Sequence, residues 1–174
     1  GVMLENASPS GRPIYRASTT AFNNKPTVQF DADDVLTASS ISTLPQPWIG
    51  LLVVQVPAHN SNNRLYMSTN SGSPFHYIGQ RSNGGGFRAS AGVTFFGSGT
   101  GTVDVHVATF LVDGTNSHIW LNGTLAHSGD FGTLALDILR IGGNGSQEAL
   151  QGHLAFLGVY AKSSRDASIA ILES

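Results

Sequence analysis

Apolar positions in this chain come in short runs separated by polar, glycine-rich breaks. The longest run, Trp48-Ile49-Gly50-Leu51-Leu52-Val53-Val54-Gln55-Val56, predicts a central strand, because nearly continuous apolar character means burial on both faces. Residues 27–30 alternate, with Val28 and Phe30 apolar, and end in the acidic turn Asp31-Ala32-Asp33-Asp34. Residues 64–68, 75–80 and 87–90 predict three further strands, the last two separated by Gly84-Gly85-Gly86. Residues 103–113 alternate cleanly, with Val103, Val105, Val107, Thr109 and Leu111 on one side. A strand over 117–121 runs into Asn122-Gly123, the strongest short hairpin signal, since both central residues of a type I′ turn need positive φ. Strands over 138–141 and 153–160 follow.

Two segments break the pattern. Residues 1–26 read as loop, with Pro9, Pro13 and Pro26 and the turn-prone pairs Ser10-Gly11 and Asn23-Asn24. Residues 164–173 read as a short helical turn with Ser164 as its N-cap. Many short strands at close spacing, almost no helix and no dividing linker predict an all-β fold, a two-sheet antiparallel sandwich forming one domain over 1–174.

Composition sharpens this picture. Of 174 residues 21 are glycine and 11% are charged, against about 25% in an ordinary soluble domain. Such a chain favours strands and tight turns over long helices. Nine Lys+Arg against eleven Asp+Glu give a net charge of −2. That balance excludes the basic face of a nucleic-acid partner. Without cysteine there is no disulfide scaffold, thiolate metal site or thiol nucleophile. The apolar runs fall short of the ~20 residues of a membrane helix, so no membrane insertion is expected. The chain opens on Gly1 rather than Met, which points to a domain excised or processed from a larger chain.

The C-terminal half carries a connected set of motifs: His106-Val107-Ala108-Thr109-Phe110-Leu111-Val112-Asp113-Gly114, then Ile119-Trp120-Leu121-Asn122-Gly123, Leu139-Arg140-Ile141-Gly142-Gly143, and Gln151-Gly152-His153-Leu154-Ala155-Phe156-Leu157-Gly158-Val159-Tyr160. Nearer the start, Gly11-Arg12-Pro13-Ile14-Tyr15 and Pro26-Thr27-Val28-Gln29-Phe30-Asp31 complete them. The set resembles the laminin-G-like branch of the concanavalin A-like lectin and glucanase jelly rolls, as found in secreted bacterial and phage proteins. It departs from that branch at Gln151, where an aromatic usually precedes the glycine, and in the short stretch ahead of Arg12. The resemblance implies a jelly-roll sandwich, and its motifs are turn and core chemistry that say little of function.

The fold hosts glycosidases, which need paired carboxylates, and polysaccharide lyases, which want Arg, His and Tyr converging on a groove. For a lyase, His76-Tyr77 is the only adjacent His-Tyr pair. Here no Glu-x-Asp occurs, and Glu148 and Glu173 are the only glutamates beyond the N-terminal loop. No hydrolase or lyase activity is therefore expected. Six histidines form neither His-x-His nor His-Glu-x-x-His, leaving zinc unsupported. Asp31, Asp33 and Asp34 are the sole acidic cluster. They offer hard oxygen ligands for calcium, but a turn in which aspartates cap their own backbone is the simpler expectation. No cofactor is expected.

Binding remains. Flat aromatic rings with planar donors suit a sugar, and the middle hairpins supply Tyr66, Tyr77, Arg81 and Arg88, expected on an exposed face or rim. Trp120 shares a strand face with His118 by alternation, although strand tryptophans such as Trp48 and Trp120 are more often core. The leading expectation is a non-catalytic module, extracellular or on a virion surface, whose partner is a glycan or cell-surface polysaccharide. The alternative is a phage structural protein such as a head decoration, tail or fibre component, contacting neighbouring virion subunits. A polysaccharide-cleaving enzyme comes third.

Overall fold

The computed structural model describes residues 11–31, 33–38, 41–55, 64–68, 76–80, 86–96, 104–143 and 150–162. Among these, alternation and turn chemistry produce thirteen strands: β1 (Ile14–Thr19), β2 (Lys25–Phe30), β3 (Leu36–Ala38), β4 (Trp48–Gln55), β5 (Arg64–Ser68), β6 (His76–Gln80), β7 (Phe87–Ala91), β8 (Thr94–Phe96), β9 (Val105–Val112), β10 (Ser117–Leu121), β11 (Thr124–Gly129), β12 (Leu139–Ile141) and β13 (Gly152–Ala161). Single 3₁₀ turns at Thr20–Phe22 and Gly114–Asn116 link strands among the described residues. The helical turn expected over 164–173 lies outside the described residues.

The strands form two antiparallel sheets, a seven-stranded one ordered β1-β2-β13-β4-β9-β10-β11 and a six-stranded one ordered β3-β12-β5-β6-β7-β8. The chain crosses between sheets after β2, β3, β4, β8, β11 and β12, the alternation that builds a sandwich. Between the sheets, Trp48, Leu52 and Val54 of β4, Ala108, Phe110 and Val112 of β9, and Ile119 of β10 meet Ile78 of β6, Phe87 and Ala89 of β7 and Ile141 of β12. As expected, β4 is central, with β13 and β9 on its flanks.

Other elements differ from expectation. In the segment read as loop, β1 pairs with β2, Ile14 opposite Gln29 and Arg16 opposite Thr27. This edge strand has an exposed sequence pattern, Ile-Tyr-Arg-Ala-Ser-Thr, with no apolar periodicity to announce it, and it exists by backbone pairing. Along β9 the alternating set Val105, Val107, Thr109 and Leu111 pairs with Gln55, Val53, Leu51 and Ile49 of β4 on the outward pleat, and the other set, Ala108, Phe110 and Val112, takes the core.

The Asn122-Gly123 hairpin has the expected geometry, with φ of 51° and 78° and Leu121 paired to Thr124. A second fastening is less obvious. Gln46 Nε2 donates to the carbonyls of Gly132 (3.0 Å) and Leu134 (2.9 Å), and its Oε1 accepts the Gly114 N–H at 2.8 Å. One side chain thus ties three loop segments together at one end of the sandwich.

Candidate functional site

The register of the β6–β7 hairpin sets Tyr77 opposite Ser90 and Gly79 opposite Arg88. Side chains alternate along each strand, and Ile78, Phe87, Ala89 and Ala91 point into the core. Tyr77, Arg88 and Ser90 therefore share the outward pleat of the six-stranded sheet. Gly79 has no side chain to separate them, and the Arg88 guanidinium reaches across, its Cζ 4.6 Å from the centre of the Tyr77 ring. Such a pair contributes about 0.5–2 kcal/mol, more as it is desolvated.

The two residues are brought together as the sequence suggested, but not on an exposed rim. Tyr77 is 2% and Arg88 7% exposed. A guanidinium is weakly hydrated and stacks on aromatic faces, so it tolerates a position that an ammonium would resist. The pair forms a rigid floor rather than a surface platform. Tyr66 lies where β5 breaks register, between Leu65 and Met67. Arg81, the fourth expected residue, lies outside the described residues.

Pairing extends this line across the sheet. Tyr77 is opposite Ser68, Ser68 opposite Arg140, and Arg140 opposite Thr37; on the other side Ser90 is opposite Thr94. One cross-strand row, Thr37–Arg140–Ser68–Tyr77–Ser90–Thr94, thus runs over all six strands. Thr37 and Arg140 are half-buried, whereas Tyr77 and Ser90 are buried, so accessibility rises toward β12 and β3. Sequence reasoning missed Arg140 as a candidate. Its signal was local: an arginine between Leu139 and Ile141 on a strand must point opposite to them.

The acidic cluster folds on itself. Asp34 N–H donates to the Asp31 carbonyl at 3.0 Å, and Asp31 N–H donates to Asp34 Oδ2 at 2.7 Å. Asp34 is buried. Desolvation raises its pKa, opposed by the Asp31 N–H bond and reinforced by the nearby Asp31 and Asp33 charges. Among the described residues no three His, Asp or Glu side chains cluster as metal ligands would. Asp31, Asp33 and Asp34 thus sit in a turn whose aspartate caps its own backbone.

Aromatic geometry on the opposite face is distinct. Trp48 is buried in the core, while Trp120 stacks on His118 with centroids 5.1 Å apart and planes 13° from parallel. His118 Nδ1 donates to the Asn116 carbonyl at 2.7 Å, which fixes the ring. At the far end of the same sheet, His153 Nδ1 lies 3.1 Å from Thr27 Oγ1. Burial and the Arg16 charge lower the His153 pKa.

No protein-family model and no curated protein sequence matches the chain. Solved structures do. Domain 4 of AbnA, an extracellular GH43 arabinanase from Geobacillus stearothermophilus solved with arabinotriose, aligns over 94% of this chain and 82% of its own length, with TM-score 0.69 and 15% identity. Tailspike protein 2 of an Escherichia coli O157:H7 bacteriophage aligns over 99% of this chain at TM-score 0.66 and 12% identity. The CBM40 of the Ruminococcus gnavus IT-sialidase aligns over 80% of this chain and 98% of its own, at TM-score 0.55 and 12% identity. The chain spans only 27% of the tailspike, and the same share of a Trypanosoma rangeli sialidase. At such identities the likeness is one of fold: this chain has the all-β sandwich architecture that recurs in carbohydrate-active and phage tail proteins.

Proposed function

We propose that this domain is a non-catalytic carbohydrate-binding module of the laminin-G-like, concanavalin A-like kind, carried by a secreted or virion-surface protein. The observation that carries the reading is the cross-strand row on the six-stranded sheet. Two arginines and a tyrosine share its outward pleat, and one arginine is locked by stacking while the other stands at the accessible end. A planar guanidinium at the accessible end of a rigid, stacked floor suits the in-plane hydroxyls of a sugar, and a preorganised site loses little entropy on binding. Arg140 contacts the ligand, with Tyr77 and Arg88 as the rigid floor; Tyr66 and Arg81 remain the other two residues proposed for the site. The sandwich likeness to a carbohydrate-binding module and to an arabinotriose-bound domain supports a glycan partner. The likeness to a tailspike supports a virion-borne parent.

A neutral sugar releases no counterions, so one domain binds weakly and with little salt dependence. Several copies on one particle supply avidity. The test is a glycan array probed with the domain displayed multivalently, then with Arg140→Ala and Arg81→Ala. Retention of a glycan that is lost in Arg140→Ala, with an unchanged melting temperature, supports the site. Binding that survives both substitutions refutes the site but keeps the function. Reducing ends or unsaturated sugars released above a heat-inactivated control would refute the non-catalytic assignment.

A further inference from the structure

We propose that the outward face of the seven-stranded sheet is a self-association surface on which a second copy of this chain packs face to face. The inference stands apart from the glycan reading, because it concerns the opposite side of the sandwich. Large apolar side chains are exposed at few places among the described residues: Ile14, Tyr15, Val93, Val107, Leu125, Phe156 and Tyr160. The strand registers put Val107, Leu125, Phe156 and Tyr160 on one pleat. Phe156 is opposite Val53, which is opposite Val107. Gly158, Leu51, Thr109, Trp120 and Leu125 form the next row. Tyr160, Ile49, Leu111 and His118 form the third, in which Tyr160 is exposed while Ile49 and Leu111 are already buried within the chain.

Around Gly158 the surface is low. A Cβ at Gly158 would lie 2.6 Å from ring atoms of Tyr160, so the Tyr160 ring lies down over the glycine instead of standing off the sheet. The stacked His118–Trp120 pair occupies the far side. Among the described residues, no strand from β13 to β11 places a Lys, Arg, Asp or Glu on this pleat. At the sheet's other edge, Arg16 on β1 is held to Gln29 Oε1 at 2.8 Å. Protein interfaces lose charge and gain aromatics at their centre in this way.

Symmetry favours a second copy as the occupant. Within the seven-stranded sheet, the five strands that carry these residues, β13-β4-β9-β10-β11, centre on β9 with two strands to each side, and β2 and β1 extend beyond β13. A two-fold axis parallel to β9 and above it lays β13 of each copy over β11 of the other. Tyr160 and Phe156 then meet Leu125, and Val107 meets its own copy, the reciprocal pairing of an isologous interface. Five strands at about 4.8 Å and the eight residues of β4 at about 3.3 Å give a face of about 24 Å by 26 Å. That area of about 600 Å², part of it already covered at Ile49 and Leu111, lies below the ~800 Å² per partner of a standard interface and matches a weak, concentration-dependent dimer. Both six-stranded sheets face outward in such a pair, which leaves them free.

Sedimentation velocity of the wild-type chain, from low micromolar to several hundred micromolar, tests this. The expected result is a concentration-dependent monomer–dimer equilibrium. Leu125→Asp and Tyr160→Lys, both at exposed positions, should each raise the dissociation constant about tenfold or more, with circular dichroism melts confirming that both fold. Mixing the two variants should restore a heterodimer, because the carboxylate introduced in one copy then faces the ammonium introduced in the other. A wild-type chain that stays monomeric throughout overturns the proposal. So does a dimer that survives both substitutions, or a mixture that stays monomeric.

Discussion

Replacing Gln46 tests how firmly the loops at one end of the sandwich are tied. In Gln46→Leu the side chain keeps its approximate volume but loses two donated bonds and one accepted bond, leaving the Gly132 and Leu134 carbonyls and the Gly114 N–H without it. Each bond is worth about 1 kcal/mol net, so the loss is about 3 kcal/mol where water cannot replace the amide. For a chain of this size each kcal/mol moves the melting temperature by about 2–4 °C, which predicts a fall of about 8 °C. Gln46→Glu separates the three bonds. Its carboxylate still accepts from Gly114 N–H, but it faces two carbonyl oxygens it cannot donate to. It should melt below wild type at neutral pH and recover part of the gap as the pH falls and the carboxyl gains a proton. Differential scanning calorimetry at matched protein concentration reads both. A shift under about 2 °C for Gln46→Leu would refute the reasoning, since it would mean that water replaces the amide or that these loops do not unfold with the core.

Gly123→Val forces a β-branched residue to the φ of 78° found there and should cost at least about 1 kcal/mol, so an unchanged melting temperature would contradict the type I′ turn. His153 has its pKa lowered by burial first and by Arg16 second; the unfolded chain therefore binds the proton first, and stability should fall as the pH drops below the ordinary value of 6.5. His153→Gln should flatten that part of the stability profile, and a slope identical to wild type would assign the effect elsewhere. Asp34 runs the other way: its pKa is raised from 3.8 by desolvation, so its cost to the fold is present at neutral pH and fades as the pH falls through the raised value. Asp34→Asn keeps an acceptor for the Asp31 N–H and should be as stable as wild type or more so at pH 7, losing that advantage in acid; urea titrations at both pH values check it.

The sequence by itself determined the fold class and most strand positions. The Trp48 run, the alternation from Val105 to Val112 and the Asn122-Gly123 turn are local signals, and each reports a local cause: burial on two faces, a period of two, or positive φ. Tertiary structure decided the rest. Alternation shows that two sets of residues face opposite ways without saying which set meets the other sheet, so Val107 and Trp120 turned outward while Ala108 and Phe110 took the core. Strand β1 was silent because backbone pairing to β2, not apolar period, makes it. The candidate site divides in the same way. Tyr77 and Arg88 were legible as residue types, but their stacking depends on the β6–β7 register, and their burial on what surrounds them in space. Arg140 joins them only because β12, distant in sequence, pairs with β5. Residue type and period are written along the chain, whereas register between distant strands is set by the packing of both sheets at once.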